Sequence, residues 1–109
     1  LGFPTLNINP LKSRQLVPGN GVYCVEVLID NQLFSGMCNI GYRPTFYEKS
    51  EKNIEVHIIN YIERDLYDQI IEVRFKEFLR EEKKYDNKND LIFQLNYDKN
   101  KCLKLSNIN

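Results

Sequence analysis

From Asn53 to Tyr61 the chain alternates apolar and polar side chains, with Ile54, Val56 and Ile58 in one register and Glu55 and His57 in the other. Successive side chains of a strand point to opposite faces, so this spacing predicts a half-buried strand whose second face carries a carboxylate beside the only histidine. Tyr23, Val25, Val27 and Ile29 repeat the pattern within Val22 to Ile29, and a second strand-like run covers Leu33 to Ile40. The polar Asp30-Asn31-Gln32 between these runs predicts a hairpin. Ile71, Val73 and Phe75 alternate with Glu72, Arg74 and Lys76, although Phe75, Phe78 and Leu79 also satisfy a helical stripe. A strand is favoured because the antiparallel strands before it need closure.

Asp86 and Asn87 are candidate caps for one late helix, with Leu91, Leu95, Cys102 and Leu105 on a single stripe and Asp98 interrupting it. Asn and Lys become frequent after Asn96, so about 97–109 reads as helix end and tail, fraying from Leu105 onward. The opening Leu1 to Pro10 is bracketed by Pro4 and Pro10, each of which drives the residue before it toward extended geometry. A fixed extended loop is expected there. Pro18-Gly19-Asn20-Gly21 is a turn signal, Gly41 to Phe46 breaks the strand pattern, and Tyr47 to Asn53 reads as a charged loop. Short strands with turn punctuation and one helix predict a small antiparallel barrel with the helix packed on it.

At 109 residues the chain forms one domain with room for a real core. No apolar run approaches the roughly 18 residues of a membrane span, so neither a membrane nor a membrane partner is expected. Fifteen basic residues balance fifteen acidic ones, which leaves no net field to draw nucleic acid. Cys24, Cys38 and Cys102 are odd in number and widely spaced. Cys24 and Cys38 lie in apolar runs and are expected as buried thiols, which suggests a reducing, cytoplasmic setting. The first residue is Leu1 rather than methionine, as in a piece of a longer polypeptide.

Several residues could carry chemistry. Glu55, held on a strand, could act as a general base toward a hydroxyl, or its face could simply be wet. Thr5 and Asn7 share a face in an extended segment, and their hydroxyl and amide oxygens are hard ligands suited to Mg²⁺; both types are also common in turns. Gly41-Tyr42-Arg43-Pro44-Thr45 could form a flap, with Arg43 available to an anion. Arg80 to Lys84 is a charge run of the kind usually left in water, and Tyr85 offers a ring that could stack on a flat ligand. There is no Walker loop and no dinucleotide-binding glycine pattern. One histidine without a second ligand nearby argues against zinc catalysis.

In order and spacing, these segments together resemble the riboflavin kinase family. They are Leu1-Gly2-Phe3-Pro4-Thr5-Leu6-Asn7, Pro18-Gly19-Asn20-Gly21-Val22-Tyr23, Asn39-Ile40-Gly41-Tyr42-Arg43-Pro44-Thr45-Phe46, Glu55-Val56-His57-Ile58, Asp65-Leu66-Tyr67 and Leu79 to Asp86. The likeness runs from Leu1 to about Asn96. It implies a six-stranded antiparallel Greek-key β-barrel with a C-terminal helix, filling residues 1–109. It also implies transfer of phosphate from ATP to the ribityl 5′-hydroxyl of riboflavin, giving FMN and ADP, with Mg²⁺, or Zn²⁺ or Mn²⁺ in its place.

By matching position, the resemblance makes Glu55 the base, and Thr5 and Asn7 the ligands of metal and phosphate. Ile58, Asn60 and Tyr67 fall at ATP-contacting positions, and Arg80, Lys83 and Tyr85 at flavin-contacting ones. In bacteria such a domain is commonly joined to an N-terminal FMN adenylyltransferase, which would be a covalent partner. Against the family pattern, the glycine-rich basic stretch before Leu-Gly is absent, so the domain is expected to be truncated at that edge. Tyr85 replaces the usual phenylalanine, and Asp68 stands where glycine is frequent. The rival from another class is a flavin-binding barrel without kinase activity, and a third is a barrel that recruits a protein partner.

Overall fold

The structure is a computed structural model that describes residues 5–10, 17–44, 50–61 and 70–106. It contains strands β1 (Thr5–Asn7), β2 (Gly21–Ile29), β3 (Gln32–Pro44), β4 (Ser50–Ile58) and β5 (Glu72–Arg80), followed by helix α1 (Lys88–Leu105). The five strands form one antiparallel sheet in the order β1-β4-β3-β2-β5. Tyr67, Asp68 and the Thr45 to Tyr47 stretch fall outside the described residues.

The expected hairpin forms, with Asp30 and Asn31 as its turn at φ 51° and 64°. Two consecutive positive φ values are what a two-residue turn needs to match the strand twist, and Asn and Asp tolerate them best after glycine. Two other expectations change. Thr5 to Asn7 is a strand rather than a loop, because Leu6 pairs with Val56 and its backbone joins the β4 ladder. Gly41 to Pro44, read as a break, continues β3 against Ser50 to Asn53. Cross-strand pairing overrides local glycine and proline signals here, and Pro44 closes the strand where a missing N–H costs least.

The interior face carries the core: Val25, Val27, Ile29, Cys38, Ile40, Ile54, Val56 and Ile58, with Tyr61 beside them. Each fully buried aliphatic side chain contributes about 1.5–3 kcal/mol. Leu6 and Ile8 from one edge of the sheet and Ile71 and Val73 from the other pack on this same cluster. The sheet is therefore strongly curled, barrel-like in shape, with five strands and no ladder between β1 and β5 among the described residues.

Helix α1 lies on the outer face. Asn87 caps it, accepting from the Asp90 backbone N–H at 2.9 Å, which satisfies one of the orphan donors of the first turn. Its buried residues are Leu95, Asp98 and Cys102. Thus Asp98, which interrupts the apolar stripe in sequence, belongs to the buried face, while Leu105 is 51% exposed. The reason lies in the sheet beneath: Arg80 supplies the partner that lets a carboxylate be buried.

Cys24 and Cys102 are not free thiols but a disulfide joining β2 to α1, with Cα atoms 5.3 Å apart and 78 residues between them in sequence. The inference of a reducing compartment loses that support. Cys38 is free and buried, and burial pushes its thiol up to about 12. No helix among the described residues is long and apolar enough to cross a membrane.

Candidate active site

Strand pairing lines up the outer face in rows. Partners opposite each other in antiparallel strands share a face, with Cβ atoms about 4.5–5.5 Å apart. One row reads Asn7, Glu55, Asn39, Val22, Arg80 across all five strands. The next reads Thr5, His57, Met37, Cys24, Glu77. Residues from the first ten positions are thereby placed beside others from the eighties.

Helix α1 packs over β3 and is tied to β2 through Cys102. Between them lies a cavity of about 200 Å³, lined by Asn39, Glu55 and His57 from the strands, Arg80, Lys83 and Tyr85 from the end of β5 and the segment after it, and Leu91 and Leu95 of the helix. Glu82 also faces it. The Glu82 carboxylate rests against Gly41, filling the space a Cβ would take there and bringing the β5–α1 connection next to β3. At the head of β2, Gly21 at φ 149° leaves space for the Phe78 ring and the Arg80 carbonyl, fixing where Arg80 leaves the sheet.

The polar groups differ in how far they are satisfied. Asp98 is 1% exposed and accepts from Arg80 Nε and from the terminal guanidinium nitrogen at 2.9 Å, and from Gln94 Nε2 at 2.9 Å. Glu55 accepts from Asn53 Nδ2 at 2.8 Å. Thr5 Oγ1 lies 2.8 Å from His57 Nδ1. Burial holds the His57 imidazole below its ordinary value near 6.5, against the Glu55 charge, which raises it. Lys83 Nζ sits 5.5 Å from the centre of the Tyr85 ring, in cation–π range. Asn39 Oδ1 and Tyr85 Oη are both sequestered from solvent without a hydrogen-bond partner.

Of the residues singled out from sequence, the fold gathers Glu55, Arg80, Lys83 and Tyr85 around one cavity and sets Thr5 and Asn7 in its rows. Ile58 is not among them. Its side chain is wholly buried on the interior face, opposite to Glu55, which leaves only its main chain for a ligand. Asn60, at φ 58° in the turn after β4, lines a separate hollow of about 100 Å³ with Phe34 and Leu103. Arg80 is largely committed to Asp98, clasping helix to sheet. Asn39 and His57 were not assigned to the site. For Asn39 the signal was present: it is the one amide inside the apolar run Met37 to Ile40.

Two carboxylates, an imidazole, two cationic side chains and an aromatic ring around one cavity on an antiparallel β fold have the make-up of a small-molecule site with groups that can exchange protons. The family profile described as "Flavokinase: Riboflavin kinase" matches residues 1–106. This chain belongs to the riboflavin kinase family. It is 34% identical over 106 residues to a bifunctional riboflavin kinase/FMN adenylyltransferase of Bacillus subtilis, covering 95% of this chain and 33% of that protein. With the protein of the same description from Pseudomonas fluorescens it shares 42% over 98 residues, 90% of this chain and 30% of the relative. A third relative, 36% identical and covered to 41%, is described as the RNA-binding riboflavin kinase RibR of Bacillus subtilis. The chain thus spans about a third of the length of the bifunctional relatives. A solved structure described as a macrolide-efflux protein from Streptococcus pneumoniae superposes with TM-score 0.81 at 32% identity, over 91% of this chain and 32% of that one.

Proposed function

We propose that this domain transfers the terminal phosphate of ATP to the ribityl 5′-hydroxyl of riboflavin, giving FMN. The observation that carries this reading is the convergence of Glu55, Arg80, Lys83 and Tyr85 on one cavity, with Asn7 in the row of Glu55 and Arg80 and Thr5 in the row beside it. Phosphoryl transfer asks little covalent chemistry of a protein; it asks for in-line placement, charge neutralisation and an acceptor for the hydroxyl proton. Glu55, rigid on β4 and turned into the cavity, is the acceptor. Asn53 occupies one oxygen of its carboxylate and leaves the other for the substrate.

Thr5 and Asn7 suit a hard divalent cation such as Mg²⁺. They offer two neutral oxygens on an exposed strand, in keeping with an ion that takes few protein ligands and completes its shell with phosphate and water. When bound, such a cation would neutralise charge on the phosphate oxygens. In the tautomer whose Nδ1 accepts, the His57 imidazole would take the Thr5 hydroxyl proton and turn the lone pairs of that oxygen outward. Lys83 and the Tyr85 ring would hold the flavin, and Arg80 would brace the segment that carries them. FMN adenylyltransferase activity would belong to a further domain, as in the bifunctional relatives.

The test is FMN formation from riboflavin and Mg-ATP. Glu55→Gln should slow it by about 10² to 10⁴. Flavin binding with no FMN from the unaltered protein would instead indicate a binding module, and normal turnover by the variant would remove Glu55 from the role of base.

A further inference from the structure

Two orphan polar atoms belong to residues of one cavity. Asn39 Oδ1 and Tyr85 Oη are both closed off from solvent and unpartnered, and both residues line the cavity that Glu55 enters. Asn39 stands directly across the β3–β4 ladder from Glu55. Leaving a buried polar atom without a partner costs about 1–3 kcal/mol, so two on residues that line one small cavity mark a place that a ligand completes.

Their chemistry restricts that ligand. A carboxamide oxygen can only accept, so its partner must donate; a fully ionised phosphate oxygen has no proton to give. The Tyr85 hydroxyl can do either. An alcohol serves both atoms at once, donating to Asn39 and accepting from Tyr85. At about 200 Å³ the cavity is below the roughly 300–1,000 Å³ of pockets that enclose a whole small molecule, and suits a hydroxylated chain better than a three-ring system.

We infer that Asn39 and Tyr85 form an uncharged recognition pair that binds the inner hydroxyls of the substrate's polyol chain and thereby brings its terminal hydroxyl to Glu55. This rests on the kinase reading above and adds to it the residues that select the chain rather than the ring. Glu55 alone cannot distinguish one hydroxyl of a polyol from the next; fixed partners for the neighbouring hydroxyls set which one is in line.

The experiment compares two flavins, riboflavin and lumiflavin, which keeps the ring system with its N–H and lacks the hydroxylated chain. Dissociation constants are measured by fluorescence quenching for the unaltered protein, Asn39→Leu and Tyr85→Phe. Losing one neutral hydrogen bond should weaken riboflavin binding about three- to tenfold in each variant, with lumiflavin unchanged. Equal weakening of both flavins, or no change in either, overturns the inference while leaving the kinase reading intact. Tyr85→Phe keeps the ring and its packing, so it decides the matter even if Asn39→Leu folds poorly. An unaltered protein that binds neither flavin would overturn the kinase reading and this inference with it.

Discussion

Two carboxylates, Glu55 on β4 and Asp98 on α1, are treated in opposite ways. Asp98 is buried, and both of its oxygens are occupied by Arg80 and Gln94. Glu55 is half-buried, with one neutral donor from its own strand and an open cavity before it. The first arrangement uses charge to lock a helix onto a sheet. The second keeps a charge supported but unspent. Full satisfaction suits a structural acid, and partial satisfaction beside orphan polar atoms suits the role proposed for Glu55.

The comparison breaks most visibly if both residues are altered and both activity and stability are read. Glu55→Gln, with its loss of about 10² to 10⁴ in turnover, should shift unfolding free energy by no more than about 0.5 kcal/mol in urea titration, since the amide keeps the acceptor that Asn53 uses. Asp98→Ala should do the reverse. Removing one partner of a buried pair leaves the other charge uncompensated, at about 3–5 kcal/mol, and the midpoint of denaturation should fall accordingly. A stable Asp98→Ala variant would mean that Arg80 is free to serve the ligand instead.

Next in size is the covalent tie. Cys102→Ser, or reduction of the Cys24–Cys102 bond, opens a loop spanning 78 residues of separation and should lower stability by about 2–4 kcal/mol. Equal stability with and without reductant would show that the tie contributes nothing to holding the helix down. Cys38, with its thiol pushed up by burial, should stay unmodified by alkylating reagents in the folded protein throughout.

The smallest effect concerns His57. Its folded pKa lies below the ordinary value near 6.5 because burial disfavours the charged form, so the unfolded chain binds its proton more readily. Stability from this residue is fully present above about pH 6.5 and is lost as pH falls from there toward the folded pKa. Urea midpoints at pH 7.5 and 5.5 should differ in this sense, and His57→Gln should reduce the difference. An unchanged difference would assign the pH dependence to other groups.

Much of this was legible in the sequence, and the parts that were not share a cause. The Ile54-Glu55-Val56-His57 alternation survives into the structure because it is a local property of one strand, and the Asp30–Asn31 turn is equally local. Asn87 could be named as a cap from its place before the helix. By contrast, Arg80 finds Asp98 across 18 residues and Cys24 finds Cys102 across 78. No spacing rule links such pairs, since they meet only once a helix settles on a curved sheet. Thr5 to Asn7, too short to show periodicity, becomes a strand only because β4 offers it an edge. Asn39 stands in an apolar run, and only the register brings it opposite Glu55.

The rows across the sheet also impose an order in time. Glu55 leaves the ribosome about 47 residues ahead of Cys102, an interval of several seconds at about 5–20 residues per second. Until then the meander of β2, β3 and β4 can pair, but nothing roofs it. The nascent domain has its Glu55 face before it has its chamber, which takes shape only as helix α1 is released.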